Sequence, residues 1–272
     1  MGMGRLAAAL LCLLTLSALA GCALGPPPPS AAGRVDPDAS AQGTAPPGAT
    51  APVTVPAPTH VTVPAQPSAT DPASTAWTAQ VPASTRQVIR TITSRRWCAK
   101  PHCTLTQAWE RSAEGWQLLR QFRSSIGPRG WGKRRQDDGR SPDGVFRVKV
   151  TFSTTEHSPG PMPWRRRLPT SNVTDDPGPL YNTWVEEAGR TNGDRPAMRW
   201  GLVVDYNHVR LRPGAGPAPV PLAGSGIFYH TSSPGHRWSP SEGCTQVGDP
   251  TAMHWLLTWL RPDARPRIVQ NR

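Results

Sequence analysis

A histidine and a cysteine stand fourteen residues apart in the stretch Gly226 to Val247, which reads GIFYHTSSPGHRWSPSEGCTQV. The pair is His230 and Cys244, and the chemistry it suggests is acyl transfer. A free thiol ionises at about pH 8.5, and a neighbouring imidazole can take its proton and leave the stronger nucleophile. The run Gly226-Ile227-Phe228-Tyr229-His230 reads as a buried strand that ends in a polar group, which would fix the imidazole at a strand end. Gly243 lets the backbone approach closely, so that its N–H and that of Cys244 could face a developing oxyanion. On spacing alone one histidine and one cysteine are weak evidence, and an inert core thiol beside an ordinary strand histidine accounts for them.

A wider set of residues sharpens the reading. The histidine, a variable loop and then Ser241-Glu242-Gly243-Cys244 resemble the signature of the YkuD-type L,D-transpeptidase family, whose pattern ends in Ser/Thr-x-Gly-Cys. A second block, Gly127 to Gly132 followed by Asp138-Gly139-Arg140-Ser141-Pro142-Asp143-Gly144-Val145-Phe146, resembles the family's upstream glycine-rich segment, and the two blocks come in the right order. The resemblance implies a mainly β domain, sandwich-like or barrel-like, with a C-terminal helix. It implies a two-step exchange on peptidoglycan stem peptides: Cys244 attacks the carbonyl ahead of a terminal D-alanine, and an amine from a second stem resolves the thioester into a 3→3 crosslink. His230 would shuttle the proton, the carbonyl of Thr231 would orient its ring, and the Gly243 and Cys244 N–H groups would serve the oxyanion. Ser241, Glu242, Gln246, Tyr206 and Asn207 are the implied substrate-cleft candidates, and no cofactor or metal is called for. Two departures stand out. Many relatives carry histidine where this chain has Glu242, and Arg or Asn where it has Gln246; an ionised carboxylate beside a thiol opposes its ionisation, so donor and acceptor preferences are open.

The elements that must position these residues are mostly strands. Val88 to Thr93, Leu105 to Trp109, Trp116 to Phe122, Val145 to Phe152 and Trp200 to Tyr206 read as β structure with Pro and Gly at the turns. One helix is expected: Asp249 as N-cap, Pro250 in the first helical position, Met253 to Leu260, and a stop at Pro262. Ile268 and Val269 read as a last edge strand. These elements give a catalytic domain over 86–272, large enough for one sizeable core, into which most of the tryptophans should be packed.

Upstream, Arg5, the apolar run Leu6 to Leu19 and Leu19-Ala20-Gly21-Cys22 read as a signal peptide over 1–21. The tetrad resembles a bacterial lipobox, which implies Cys22 as the lipidated first residue of the mature chain and a membrane partner through that lipid. Residues 22–85 are rich in Pro, Ala and Thr and nearly free of large side chains before Trp77, so they read as a disordered spacer. The expected location is extracytoplasmic, anchored to the cell membrane and facing the wall. The formal net charge of +12 would ordinarily suggest nucleic acid, but export removes that partner and leaves an anionic envelope.

Cys98 and Cys103 flank Ala99-Lys100-Pro101-His102. In an oxidising compartment a local disulfide is expected, leaving Cys244 unpaired; a metal set of Cys98, His102 and Cys103 lacks a convincing fourth ligand. The rival functions are an L,D-carboxypeptidase or thiol hydrolase on the same stems, and a nonenzymatic wall-binding lipoprotein. Oligomeric state is not legible.

Overall fold

The computed structural model describes residues 76–188 and 195–271, all within the compact unit Val61–Arg272. The readings placed on residues 1–75, namely the signal peptide, Cys22 and most of the spacer, lie outside the described residues. Among the described residues, no helix is long and apolar enough to cross a membrane.

Among the described residues there are eleven strands: β1 (Gln87–Thr93), β2 (Cys103–Ser112), β3 (Gly115–Ser125), β4 (Gly144–Ser153), β5 (Trp164–Arg166), β6 (Ser171–Val173), β7 (Trp184–Glu186), β8 (Trp200–Val204), β9 (Phe228–Thr231), β10 (Thr245–Val247) and β11 (Arg267–Gln270). Eight of them run in the order β11-β1-β2-β3-β10-β9-β8-β4, and β4 pairs back onto β11 to close a barrel. Strand β5 lies parallel to the far half of β4, and β6 and β7 form a separate two-stranded sheet.

The expected edge strand at Ile268 and Val269 is therefore corrected. β11 is the closing strand, parallel to β1 with Ile89 opposite Ile268, and antiparallel to β4 with Ile268 opposite Phe146. Closure removes the open edges that β1 and β4 would otherwise present.

Strand alternation distributes the apolar side chains to both faces. Ile89, Ala108 and Ile268 join the main core with Leu202, Val204, Tyr229 and Val247. Their neighbours Val88, Trp109 and Val269 pack on the opposite face against Trp77 and Val81. Val203, beside Leu202 and Val204, meets Val150, Phe152 and Trp184. Burial on both faces explains why Leu202-Val203-Val204 is a continuous apolar run rather than an alternating one.

Trp77 is 1% exposed and sits in a short 3-10 turn, Ala76–Gln80. The spacer expected over 22–85 thus ends too late: the folded domain already includes Ala76–Gln80. A single large side chain in a proline-rich segment carries no local sign of a core, and burial against Trp109 and Trp116 is what orders it.

The helix α1 (Pro250–Trp259) is capped as its sequence predicts: the Asp249 carboxylate accepts the Thr251 N–H at 2.9 Å, with Pro250 in the first turn. Ala252, Met253, Leu256 and Leu257 bury its inner side in the main core.

Candidate active site

Strands β9 and β10 lie parallel, with Tyr229 opposite Thr245, His230 opposite Gln246 and Thr231 opposite Val247. Parallel neighbours need a crossover, and residues 232–244 supply it. This register sets Cys244 level with Phe228, whose N–H donates to the Cys244 Sγ at 3.4 Å; the thiol in turn donates to the Gly226 carbonyl at 3.4 Å. His230 and Cys244 both line one cavity of about 590 Å³.

The His230 ring is fixed from its Nδ1 side. That nitrogen lies 2.6 Å from the Thr231 carbonyl oxygen and 3.0 Å from that of Ala197. Carbonyls only accept, so Nδ1 carries the hydrogen and Nε2 is the basic nitrogen. The Thr231 hydroxyl donates to the carbonyls of Pro196 and Ala197, which secures the segment carrying the second acceptor. Burial holds the imidazole below its ordinary pKa and the charge of Arg167 adds to this, while the two carbonyl contacts oppose it.

Burial also pushes the Cys244 thiol up to about 11, with Glu242 adding to the rise and the Phe228 N–H and Lys133 opposing it. The resting groups are therefore a neutral thiol and a neutral imidazole that line the same cavity. Sulfur attack on an acyl group then needs Nε2 to take the thiol proton as the bond forms.

The loop before Cys244 is tied down by Ser241 and Ser141. Ser241 Oγ donates to the Cys244 carbonyl at 2.6 Å and accepts the Gly243 N–H at 3.1 Å. Ser141 Oγ, from the upstream block, donates to the Gly243 carbonyl at 2.7 Å and accepts the Gly127 N–H at 3.0 Å. The Gly243 N–H expected to face an oxyanion is thus directed to Ser241 instead. Gly243 has φ of +140°, a conformation that side chains rarely adopt, and a Cβ there would sit 2.9 Å from the Arg140 carbonyl oxygen.

Of the cleft candidates, Ser241, Glu242 and Gln246 line the cavity, Glu242 exposed and Gln246 accepting from Ser232 Oγ at 3.1 Å. Tyr206 and Asn207 are corrected: they do not line it. The Tyr206 hydroxyl donates to the Ala223 carbonyl at 2.8 Å, and Asn207 Nδ2 donates to the carbonyls of Val220 and Gly224 at 2.9 Å. They fasten the approach to Gly226, whose carbonyl receives the thiol. Residues unforeseen from the sequence are Ser141, Lys133 and Arg167; only Ser141 lies within the glycine-rich block that resembles the family, and Lys133 falls between the two parts of that block.

Cys98 and Cys103 form a disulfide with Cα atoms 5.9 Å apart, and Cys244 is free. The ligand atoms of Cys98, His102 and Cys103 lie within 4.8 Å of one another, but two sulfurs bonded to each other are not thiolate ligands.

Residues 98–269 match the L,D-transpeptidase catalytic domain family known as YkuD, and the chain belongs to that family. A comparison with curated proteins gives no match.

Proposed function

We propose that this protein is a cysteine-dependent L,D-transpeptidase that forms 3→3 crosslinks between peptidoglycan stem peptides through a thioester on Cys244. The observation that carries the reading is the shared cavity of a free thiol and an imidazole whose Nδ1 is held on Thr231, within a chain of this family. Nε2 of His230 accepts the thiol proton as sulfur adds to the donor carbonyl, then delivers it to the departing D-alanine nitrogen. The amine of a second stem adds to the thioester, and sulfur leaves with a proton returned to it. Because the Gly243 N–H donates to Ser241, we assign the oxyanion to the Cys244 N–H.

The cavity lining supports a substrate that carries both signs of charge. Lys133, Arg167 and Arg195 face it together with Asp137, Asp175 and Glu242, and a stem peptide bears carboxylates and a side-chain amine. The signal-like segment and Cys22 support a lipid tether outside the cytoplasm, with the wall as the partner.

The test is a product assay with defined tetrapeptide stems. Release of D-alanine with a crosslinked dimer, both lost in Cys244→Ala, is the expected result. D-alanine release without dimer across several acceptors would make the protein a carboxypeptidase; neither product from folded protein would leave a wall-binding role.

A further inference from the structure

Beside the nucleophile loop stands a buried cation that the cysteine and histidine chemistry does not by itself require. The Lys133 side chain is 3% exposed and lines the same cavity as Cys244. Its Nζ donates to Asp138 Oδ1 at 3.2 Å and to the Arg140 carbonyl at 3.5 Å. It also lies 3.4 Å from where a Gly243 Cβ would stand, and a Cβ at Gly224 would collide with the lysine stem. Two glycines thus make the room in which this side chain reaches the loop.

Asp138 does not account for the lysine's presence. Its carboxylate already accepts the backbone N–H groups of Arg134, Arg135 and Arg140 at 2.8 to 3.1 Å, enough to satisfy a buried carboxylate without a cation. Burying an ammonium is costly unless its charge is used or well paired. Of its three donors, Asp138 and Arg140 take two among the described residues, which leaves one for a group arriving in the cavity. The other charge nearest in sequence to the thiol is Glu242, of opposite sign, and the two act on Cys244 in opposite directions.

We propose that Lys133 is a positioning residue of the acyl-transfer site, a cation held behind Gly243 whose field stabilises negative charge on the Cys244 sulfur and on the oxygen of the tetrahedral adduct. As the sulfur–carbon bond forms, the thiol proton moves to His230 Nε2 and the carbonyl π electrons move onto oxygen; Lys133 faces that charge without exchanging a proton. The claim about the oxygen rests on the transpeptidase reading; the claim about the sulfur does not.

The test is the pH dependence of Cys244 alkylation by iodoacetamide in the full chain, read at that peptide by mass spectrometry. Lys133→Met should raise the midpoint by about one pH unit, the low end of what an opposite charge close to an ionising group does. Lys133→Arg should stay near the parent, Glu242→Gln should lower the midpoint, and Lys133→Met/Glu242→Gln should return toward the parent, which a lysine that merely braces the loop would not produce. Should circular dichroism show Lys133→Met misfolded, Lys133→Met/Asp138→Asn removes the buried pair as a unit and carries the same expectation. Coincident midpoints for the parent and whichever folded variant lacks the lysine charge, Lys133→Met or Lys133→Met/Asp138→Asn, overturn the proposal. A shifted midpoint in a protein that releases no D-alanine from stem peptides would overturn the transpeptidase reading and leave the role of Lys133 at sulfur standing.

Discussion

The Nδ1 of His230 lies 2.6 Å from the carbonyl oxygen of Thr231, the residue that follows it in β9. A ring held by its own strand keeps one tautomer whatever the loop opposite does, and burial keeps it neutral below the ordinary histidine range. With the thiol pushed up to about 11, the proposed transfer starts from the uncharged pair. D-alanine release should accordingly persist as pH falls past about 6.5 and decline only as His230 protonates at lower pH. A kcat/KM profile with its acid limb at or above that value would contradict the neutral-histidine arrangement. Replacing His230 with alanine should lower kcat by about 10² to 10⁴ in a folded protein, as thermal unfolding would confirm.

Asp138 ties the upstream block together, and its removal should be felt as stability. Burial works against its charge, but the N–H groups of Arg134, Arg135 and Arg140 and the Lys133 ammonium hold its carboxyl down to about 2. A carboxyl depressed on folding contributes stability that is present above its unfolded pKa and is lost as pH falls through the folded one. Asp138→Asn should cost about 2 kcal/mol near neutrality, the scale of such a depression. Its deficit against the parent should narrow between about pH 4 and pH 2. Thermal melts across that range provide the check, and a deficit independent of pH would place the effect elsewhere.

Gly201 sits opposite His230 in the β8–β9 pairing. A Cβ at this position would collide with the Phe152 ring and stand 2.7 Å from the Tyr229 carbonyl oxygen. Gly201→Ala should therefore destabilise the domain by about 1 to 3 kcal/mol through overpacking and displace β9. The measurable signature is a lowered urea midpoint together with reduced D-alanine release.

Trp77→Ala should cost about 3 to 5 kcal/mol, as expected for a large aromatic buried without room to collapse. The residue packs against Trp109 and Trp116 with ring centroids 5.5 and 5.2 Å away, far from the cavity-lining residues in sequence. Denaturant unfolding should show the loss, while activity at low temperature should change little. Unaltered stability would return Ala76–Gln80 to the spacer.

What the sequence disclosed followed the range of the forces involved. The helix was legible because Asp249, Pro250 and Pro262 act within a turn or two, and the strands around Ile89, Val148 and Val203 because their patterning is local. His230 and Cys244 are legible as a pair through the Ser241-Glu242-Gly243-Cys244 pattern and the glycine-rich block upstream, since their spacing alone is weak evidence. Ile268 and Val269 look the same at an edge or at a seam, and their partners in β1 and β4 are far away along the chain. Ser141 and Lys133 reach Gly243 from about a hundred residues upstream, a distance over which turn chemistry says nothing about contacts. The motif resemblance points Tyr206 and Asn207 to the cleft, but their hydrogen-bonding groups turn to the 220–224 loop, a contact that the motif does not encode.

Strand β11 also determines how the molecule must assemble. Its pairing of Val88 with Arg267 joins segments separated by most of the described chain, so contact order is high and folding is expected to be slow. Until that union is made, β1 and β4 present bare hydrogen-bonding rows to any passing strand. The dangerous interval for this protein is therefore the wait for the seam, when aggregation competes with maturation and a holdase would have the most to protect.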